Sequence, residues 1–554
     1  MSRDIRCAVL HSSGCLKTPK RTGILLSGGE FSFVEGFAVP RFKEMPMPPS
    51  QLMLYGRSVE DALPQGSDVR IFNEMMDYLD YSALESRYSE MGCPAYPPKA
   101  MVKILGYAYS KRIRSSRRIE EALTIDVRFI WLAGGLAPDH NTIARFRKDG
   151  GADLENLYKD SVKVCMRAGL VFLNSVSTDG SKIVAAASKK RIYNQERLER
   201  EMNRVEQILR EAEEIDLAED ELYGNGNGRE IPQELRDAKV RKEKLQEIAE
   251  QLRETQSKNV VSSDPECRVM KTRNNGKCPA YNLQTSVDAD NQIIVAMELT
   301  ASETDHGYLP KMVEQTESNT GVAPDISLAD SGYWDEETLR WIEQSKHDVL
   351  IPVMEQPREA KRTDLFAGKC FLYDDERDVV ICPAGRDLVF RAQYKLSSGN
   401  YKRYAATGCK SCTFHEQCCG KKANRRINVS VVARVRQQIR DRLQTQEGRE
   451  LYSLRKQTVE PVFGQMKTNR GFGRLHLHGY AGALAETALM CLIHNILKCA
   501  SNTGAREYLA RIRRRVAFAA TLCIALTASV ERQKMIYAAI DRSGRWATSP
   551  AFEI

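Results

Sequence analysis

Between residues 171 and 350 the apolar positions change period several times, and each change predicts an element. Val171-Phe-Leu-Asn-Ser-Val-Ser-Thr-Asp179-Gly180 is rich in β-branched and apolar residues and closes on a glycine, the pattern of a buried strand with a carboxylate at or near its end. Tyr281 to Thr300 is two alternating runs about Asp288-Ala-Asp290-Asn291, which predicts a β-hairpin. Tyr308 to Glu317 reads as a helix, and Asp325-Ile-Ser-Leu-Ala-Asp330-Ser-Gly as a further short strand that ends in an acid and a small-residue turn. Asp335 suits a helix N-cap, with Glu336 and Glu337 in the first turn where the helix dipole favours negative charge. His306, next to Asp305 at a probable helix start, fits capping, and Asp305 is an outside candidate for an acidic site.

The same pattern continues on either side. From Tyr96 to Gly150 the sequence is helical and basic, with Pro97-Pro-Lys-Ala-Met-Val-Lys-Ile-Leu leading to Arg145-Phe-Arg147-Lys148. Leu198, Met202, Val205, Leu209 and Ala212, then Ala238, Leu245, Ile248 and Leu252 across Gly224-Asn-Gly-Asn-Gly228, predict a charged helical hairpin. Leu484 to Lys498 reads as an apolar helix covering a sheet. Residues 1 to 45 carry no clear period, and Met45 to Ser50 resembles a linker. Val516 to Val530 is too short for a membrane span, and no charged-then-apolar signal opens the chain. Strand, hairpin, helix, strand, helix is the order of a ribonuclease-H-like sheet. The expected fold is α/β: a mixed ribonuclease-H-like sheet flanked by helices, interrupted by a helical hairpin and a cysteine-rich insertion, and preceded by an all-α domain.

Candidate chemistry centres on Tyr452 to Lys467. Glu460 stands there among cations, with Lys456 four residues before it and Lys467 seven after, spacings that return to one side of a helix. Pro461 requires that the helix begin or bend beside the acid, since proline offers no backbone donor. One acid ringed by cations suggests phosphate chemistry, and Asp179 and Asp330 are the upstream carboxylates that could join it around a divalent metal. Two ions roughly 3.5 to 4 Å apart can activate the attacking oxygen and stabilise the leaving one in a displacement at phosphorus.

These residues resemble the DDE transposases of bacterial insertion sequences, in which two strand aspartates and a glutamate on a late helix form the catalytic triad. Matched by position, Asp179, Asp330 and Glu460 take the acid roles and would ligate two magnesium or manganese ions. Arg-Lys-Gln-Thr-Val-Glu460-Pro-Val-Phe-Gly-Gln-Met-Lys467 is similar to the signature of members with an interrupted core, and Lys467 stands where that signature asks. The usual arginine is either replaced by Lys456 or displaced by one to Arg455, and Tyr452 lies one residue further from Glu460 than the pattern prefers. The resemblance implies DNA contacts from Tyr452, Arg455, Lys456 and Lys467. It also implies an N-terminal helical domain whose Arg145, Arg147 and Lys148 grip DNA ends, or which merely packs.

Composition adjusts this picture modestly. The chain has 554 residues and a formal charge of +9, with cations gathered at 99–118, 145–148, 421–426, 467–474 and 511–515, patches suited to a polyanion. Fifteen cysteines without secretory features imply a reducing cytoplasm, and the resemblance implies a bacterial, nucleoid-associated setting there. Cys382, Cys409, Cys412 and Cys418 have the ligand count of a structural zinc site, with His415 or Cys419 as substitutes; reduced buried thiols are the other reading. His476 and His478 lie in a basic turn, on the surface or near DNA.

The expected organisation is 1–92 extension and linker, 93–150 helical DNA-end domain, 171–192 with 260–350 as the first part of the core, and 193–258 helical hairpin. It continues with 351–430 cysteine-rich insertion, 431–502 glutamate-bearing helices and 503–554 basic tail. The implied function is an insertion-sequence transposase that binds inverted terminal repeats and target DNA as a homo-oligomer. A ribonuclease-H-like nuclease and a catalytically silent DNA-binding derivative stay open.

Overall fold

The computed structural model describes residues 58–89, 93–223, 233–273, 275–352, 370–374, 376–396 and 399–515, with 366, 518, 521 and 531. The expectations for residues 1–45, Met45–Ser50, Gly224–Gly228 and nearly all of Val516–Val530 lie outside these residues.

Among the described residues seven helices come first: α1 (Asp68–Met76), α2 (Ser82–Glu85), α3 (Pro98–Ser110), α4 (Ser116–Ile125), α5 (Val127–Leu132), α6 (His140–Asp149) and α7 (Gly151–Arg167). The helical layer therefore starts upstream of position 93, because Val69, Phe72, Met75 and Met76 line one buried face of α1. Asp126 and Asp139 cap α5 and α6 by accepting from the N–H groups of Arg128 and Thr142.

The core sheet begins at β1 (Val176–Val184). After β2 (Ile192–Tyr193), helices α8 (Gln195–Tyr223) and α9 (Gln233–Thr255) and β3 (Val260–Val261), the chain returns through β4 (Arg268–Thr272), β5 (Gly276–Asp288) and β6 (Ile294–Thr300). It crosses over by α10 (Tyr308–Thr320) to β7 (Ser327–Ala329), then by α11 (Glu336–Gln344) to β8 (Val349–Leu350). The strand path β6-β5-β1-β7-β8 is antiparallel on one side of β1 and parallel on the other, with β4 also on β5. Asp335 caps α11 by accepting from Thr338, as its sequence context predicts, whereas the N-cap of α10 is Gly307 at φ +74°.

The α8–α9 pair is a side arm with its own small core of Leu198, Val205, Leu245, Ile248 and Leu252, closed at its base by β2 pairing with β3. The second interruption holds an antiparallel sheet, β9 (Leu372–Asp374), β10 (Val379–Ile381), β11 (Asp387–Leu396), β12 (Gly399–Ala406) and β13 (Arg426–Ser430), with α12 (His415–Cys419) between the last two strands. Helices α13 (Ala433–Gln444), α14 (Gln446–Gly464) and α15 (Gly479–Ser501) complete the fold. The last is long and apolar enough to cross a membrane, yet its residues from Ala485 to Ile496 are buried among α1, α3, α7 and the core strands. Its apolarity is that of a helix enclosed on all sides.

Candidate active site

Pairing register creates the site. Thr178 of β1 lies beside Ala329 of β7 in parallel pairing, so the next residues, Asp179 and Asp330, emerge side by side where β7 stops. Asp179 is inside its strand, because β1 continues to Val184 on its other neighbour, β5. Local backbone fixes both carboxylates: Asp179 Oδ1 accepts from Gly180 N at 2.9 Å, and Asp330 Oδ1 from Gly332 N at 2.7 Å.

A buried cation bridges them. Arg455, on α14, places Nη2 at 3.1 Å from Asp179 Oδ2 and 3.5 Å from Asp330 Oδ2. Burial pushes the Asp179 carboxyl up to about 6; Arg455 opposes this, and the neighbouring Asp330 adds to it. Tyr452, one turn earlier, is half-buried and packs on the cluster of Ile326, Leu328 and Leu350. Its phenol is pushed up mainly by burial, with Asp330 and Asp179 contributing.

Lys467 reaches the same strand from beyond Pro461. Helix α14 runs through the proline without breaking and then opens into a π-helical turn, Gln465–Asn469. Proline at 461 leaves the carbonyl of Gln457 without its helical donor, and Gln292 Nε2 supplies one at 3.1 Å. From the π turn Lys467 Nζ donates to Ser181 Oγ at 2.5 Å and to Lys182 O at 2.7 Å. Burial pushes this ammonium down to about 8, with Lys182 acting in the same sense and Asp179 against it. The chain then pairs with the end of β1, Val184 N donating to Gly473 O at 3.1 Å and Leu475 N to Val184 O at 2.7 Å.

Glu460 and Lys456 are exposed on α14. Among the described residues no contact joins Glu460 to either aspartate, and no three His, Cys, Asp or Glu side chains are gathered as a metal site. The sequence thus brings together Asp179, Asp330, Arg455 and Lys467, with Glu460 on the same helix outside the group. The acid that does approach is Asp305. A Cβ built on Gly332 would meet Asp330 Oδ1 at 2.9 Å and Asp305 Oδ2 at 3.4 Å.

Of the N-terminal cations, Arg145 and Lys148 are exposed on α6. Arg147 is buried and donates to Tyr109 Oη at 3.0 Å and Arg114 O at 2.7 Å, so its guanidinium serves the fold and faces no open surface. His476 donates its backbone N–H to buried Glu486 at 2.6 Å.

The cysteines converge separately. Cys382, Cys409, Cys412, Cys418, Cys419 and His415 line one small cavity walled by Phe366, Phe371 and Arg425. Cys382 Sγ accepts from Arg386 N at 3.3 Å, while His415 Nδ1 is buried with no partner among the described residues. Burial pushes the Cys419 thiol up to about 12, with Cys409 and Cys418 adding to it, and raises Cys418 as well. Cys491 and Cys499 are buried in the main core, Cys499 Sγ lying 3.2 Å from Cys165 Sγ.

The donor types are those of two kinds of ion, although neither set is gathered as a metal site among the described residues: carboxylates are ligands of hard divalent cations, and thiols with an imidazole are ligands of zinc.

Comparison with protein families gives two matches. Residues 57–149 match the family described as Transposase domain (DUF772), and residues 381–500 match Transposase DDE domain. The first spans α1 to α6; the second takes in β11 to β13, the Glu460 helix and most of α15, while Asp179 and Asp330 precede it. The DDE domain implies a ribonuclease-H-like fold, in keeping with the mixed sheet, and marks the class as a nucleic-acid-cleaving enzyme. Taken together, the two matches support an insertion-sequence DDE transposase, whose substrate is DNA. Comparison with curated proteins and with solved structures yields no match.

Proposed function

We propose that this chain binds the terminal inverted repeats of an insertion sequence, cuts phosphodiester bonds at their ends and joins the freed 3′-hydroxyls to target DNA. The observation that carries the reading is the Asp179–Asp330 pair, set side by side by strand register and bridged by Arg455 from the helix that bears Glu460. In cleavage, water attacks phosphorus and the P–O3′ bond breaks; in joining, the 3′-hydroxyl attacks a target phosphorus and a target 3′-oxygen leaves. Magnesium or manganese, held by Asp179 and Asp330 with Glu460 as the third ligand, would activate the entering oxygen and stabilise the leaving one.

The remaining roles belong to the protein's own side chains. Arg455 holds the two aspartates together, and Lys467 fixes β1 beside them through Ser181 and Lys182. Exposed Lys456, Arg145 and Lys148 offer charge to DNA phosphates, and Tyr452 flanks the pair. Cys382, Cys409, Cys412 and Cys418, with His415 or Cys419 as substitutes, would hold a structural zinc ion, which would stabilise the second sheet without catalysing. The protein acts in the cytoplasm, at the nucleoid, as a homo-oligomer that brings two ends together.

The test incubates purified protein with magnesium or manganese and labelled DNA carrying the ends of its own genomic segment, beside Asp179→Asn, Asp330→Asn and Glu460→Gln. Cleavage and joining by the wild type alone, with DNA binding retained by all, is the expected result. Cleavage without joining would favour a nuclease. Binding without cleavage by any of them would favour a silent DNA-binding protein, a reading to which the exposure of Glu460 lends some weight.

A further inference from the structure

Asp305 lies between β6 and α10, in a loop whose helix is capped by another residue, Gly307. Its carboxylate is turned to the core sheet. Oδ1 accepts from Asn282 Nδ2 at 2.7 Å and Gln284 Nε2 at 2.6 Å, both on β5, and lies 3.5 Å from Lys182 Nζ on β1. Gln284 is the pairing partner of Gly180, and its own oxygen accepts from the buried Tyr333 hydroxyl. The approach is close at Gly180: a Cβ there would collide with Asp305 Oδ1 and stand 2.6 Å from Gln284 Nε2, so these side chains would have to shift, whereas one at Gly332 would crowd Asp330 and meet Asp305 only in ordinary contact. Asp305 thus lies against Gly180, the residue that follows Asp179, and near the turn that holds Asp330.

We propose that Asp305 is a positioning residue for the phosphoryl-transfer site: it locks Gln284 and Lys182 so that Asp179 and Asp330 stay in register, and its charge strengthens the field in which that pair takes a divalent cation. This rests on the function proposed above. The sequence offers Asp305 as an outside candidate for an acidic site, without its three donors, which come from β5 and β1.

The test measures Mn2+-dependent cleavage of end-bearing DNA by the full chain across Mn2+ concentration, and Mn2+ binding by the protein alone, for wild type, Asp305→Asn, Asp305→Glu, Gln284→Met and Asp179→Asn. Asp305→Asn keeps an acceptor at Oδ1 and removes only charge. It is expected to bind Mn2+ more weakly and to lose about 10- to 100-fold in turnover, the usual cost of disturbing a partner that orients ligands, with DNA affinity unchanged. Asp305→Glu, which keeps the charge, should keep the wild-type Mn2+ affinity. Gln284→Met, loosening Asp305 without removing its charge, should lower turnover, and serves if Asp305→Asn melts too early to assay. Wild-type Mn2+ affinity in Asp305→Asn, or wild-type turnover in Gln284→Met, would overturn the proposal for Asp305 alone. Failure of the wild type to cleave, or cleavage by Asp179→Asn, would instead overturn the reading it rests on.

Discussion

Arg455 satisfies two carboxylates with one nitrogen while its Nε has no acceptor among the described residues, so its contribution is the charge it places between Asp179 and Asp330. Removing one partner of a buried ion pair leaves the other charge uncompensated, typically at a cost of about 3–5 kcal/mol. Arg455→Ala is therefore expected to destabilise the protein by about that amount at neutral pH, read by urea unfolding. The pH dependence follows from Asp179. Its folded carboxyl already sits at about 6, above the ordinary value, so its ionisation works against folding as pH rises toward 6. Without Arg455 that value climbs further, and the gap between variant and wild type should widen from pH 5 to pH 7.5; a constant gap would mean the guanidinium does not sense the pair. The proposed cleavage would read the same group. Metal-dependent cleavage should rise with pH through a limb near 6, and the limb should move to lower pH as Mg2+ is raised, because a cation beside Asp179 favours its ionised form. A limb indifferent to Mg2+ would remove Asp179 from the metal's surroundings.

At the scale of elements, much of this arrangement is legible in the chain. β-Branched runs and turn residues mark β1, the β5–β6 hairpin and β7, and apolar spacing marks both helices of the side arm. What periodicity does not carry is register. Asp179 reads as a strand end, yet the end belongs to its neighbour β7, and only three-dimensional pairing sets Thr178 beside Ala329. Burial is equally hidden where cations adjoin. Spacing alone does not choose between Arg455 and Lys456, or between Arg147 and Lys148, but the fold buries the arginine in each pair and exposes the lysine. The cysteine-rich element tests the same logic on a metal. Thiols from the β10–β11 turn and from the loop between β12 and β13 share one cavity, so reduced protein should carry about one zinc per chain, as the donor count of a tetrahedral site requires. Cys409→Ser should release it and unfold the second sheet before the first, measured by metal analysis and local hydrogen exchange. Zinc-free wild-type protein with that sheet intact would leave the cysteines as buried thiols.

Across the whole molecule, the two matched regions share one apolar core, and a buried charge lies at their junction. Glu486 of α15 is fully buried and accepts from Tyr109 Oη at 3.0 Å and Arg114 Nη2 at 3.1 Å, both from the N-terminal helices. Its other oxygen takes the backbone N–H groups of His476 and Leu477 at 2.6 and 3.2 Å. Arg114 also donates to Gly471 O at 2.7 Å, in the segment that leads from the Lys467 turn to the end of β1. The helical layer thus grips the strand that bears Asp179 at second hand, through residues 471–477. Glu486→Gln keeps the shape and removes the charge, leaving Arg114 buried without a counter-ion, and should cost about 3–5 kcal/mol. If the contact couples the regions, hydrogen-exchange protection should fall together around Tyr109–Ser116 and around Gly471–Leu477, and cleavage should fall more than DNA binding. Protection lost only next to position 486 would mean that the N-terminal helices and the core sheet keep their geometry independently, and that any grip on DNA ends would reach the Asp179–Asp330 pair by another route.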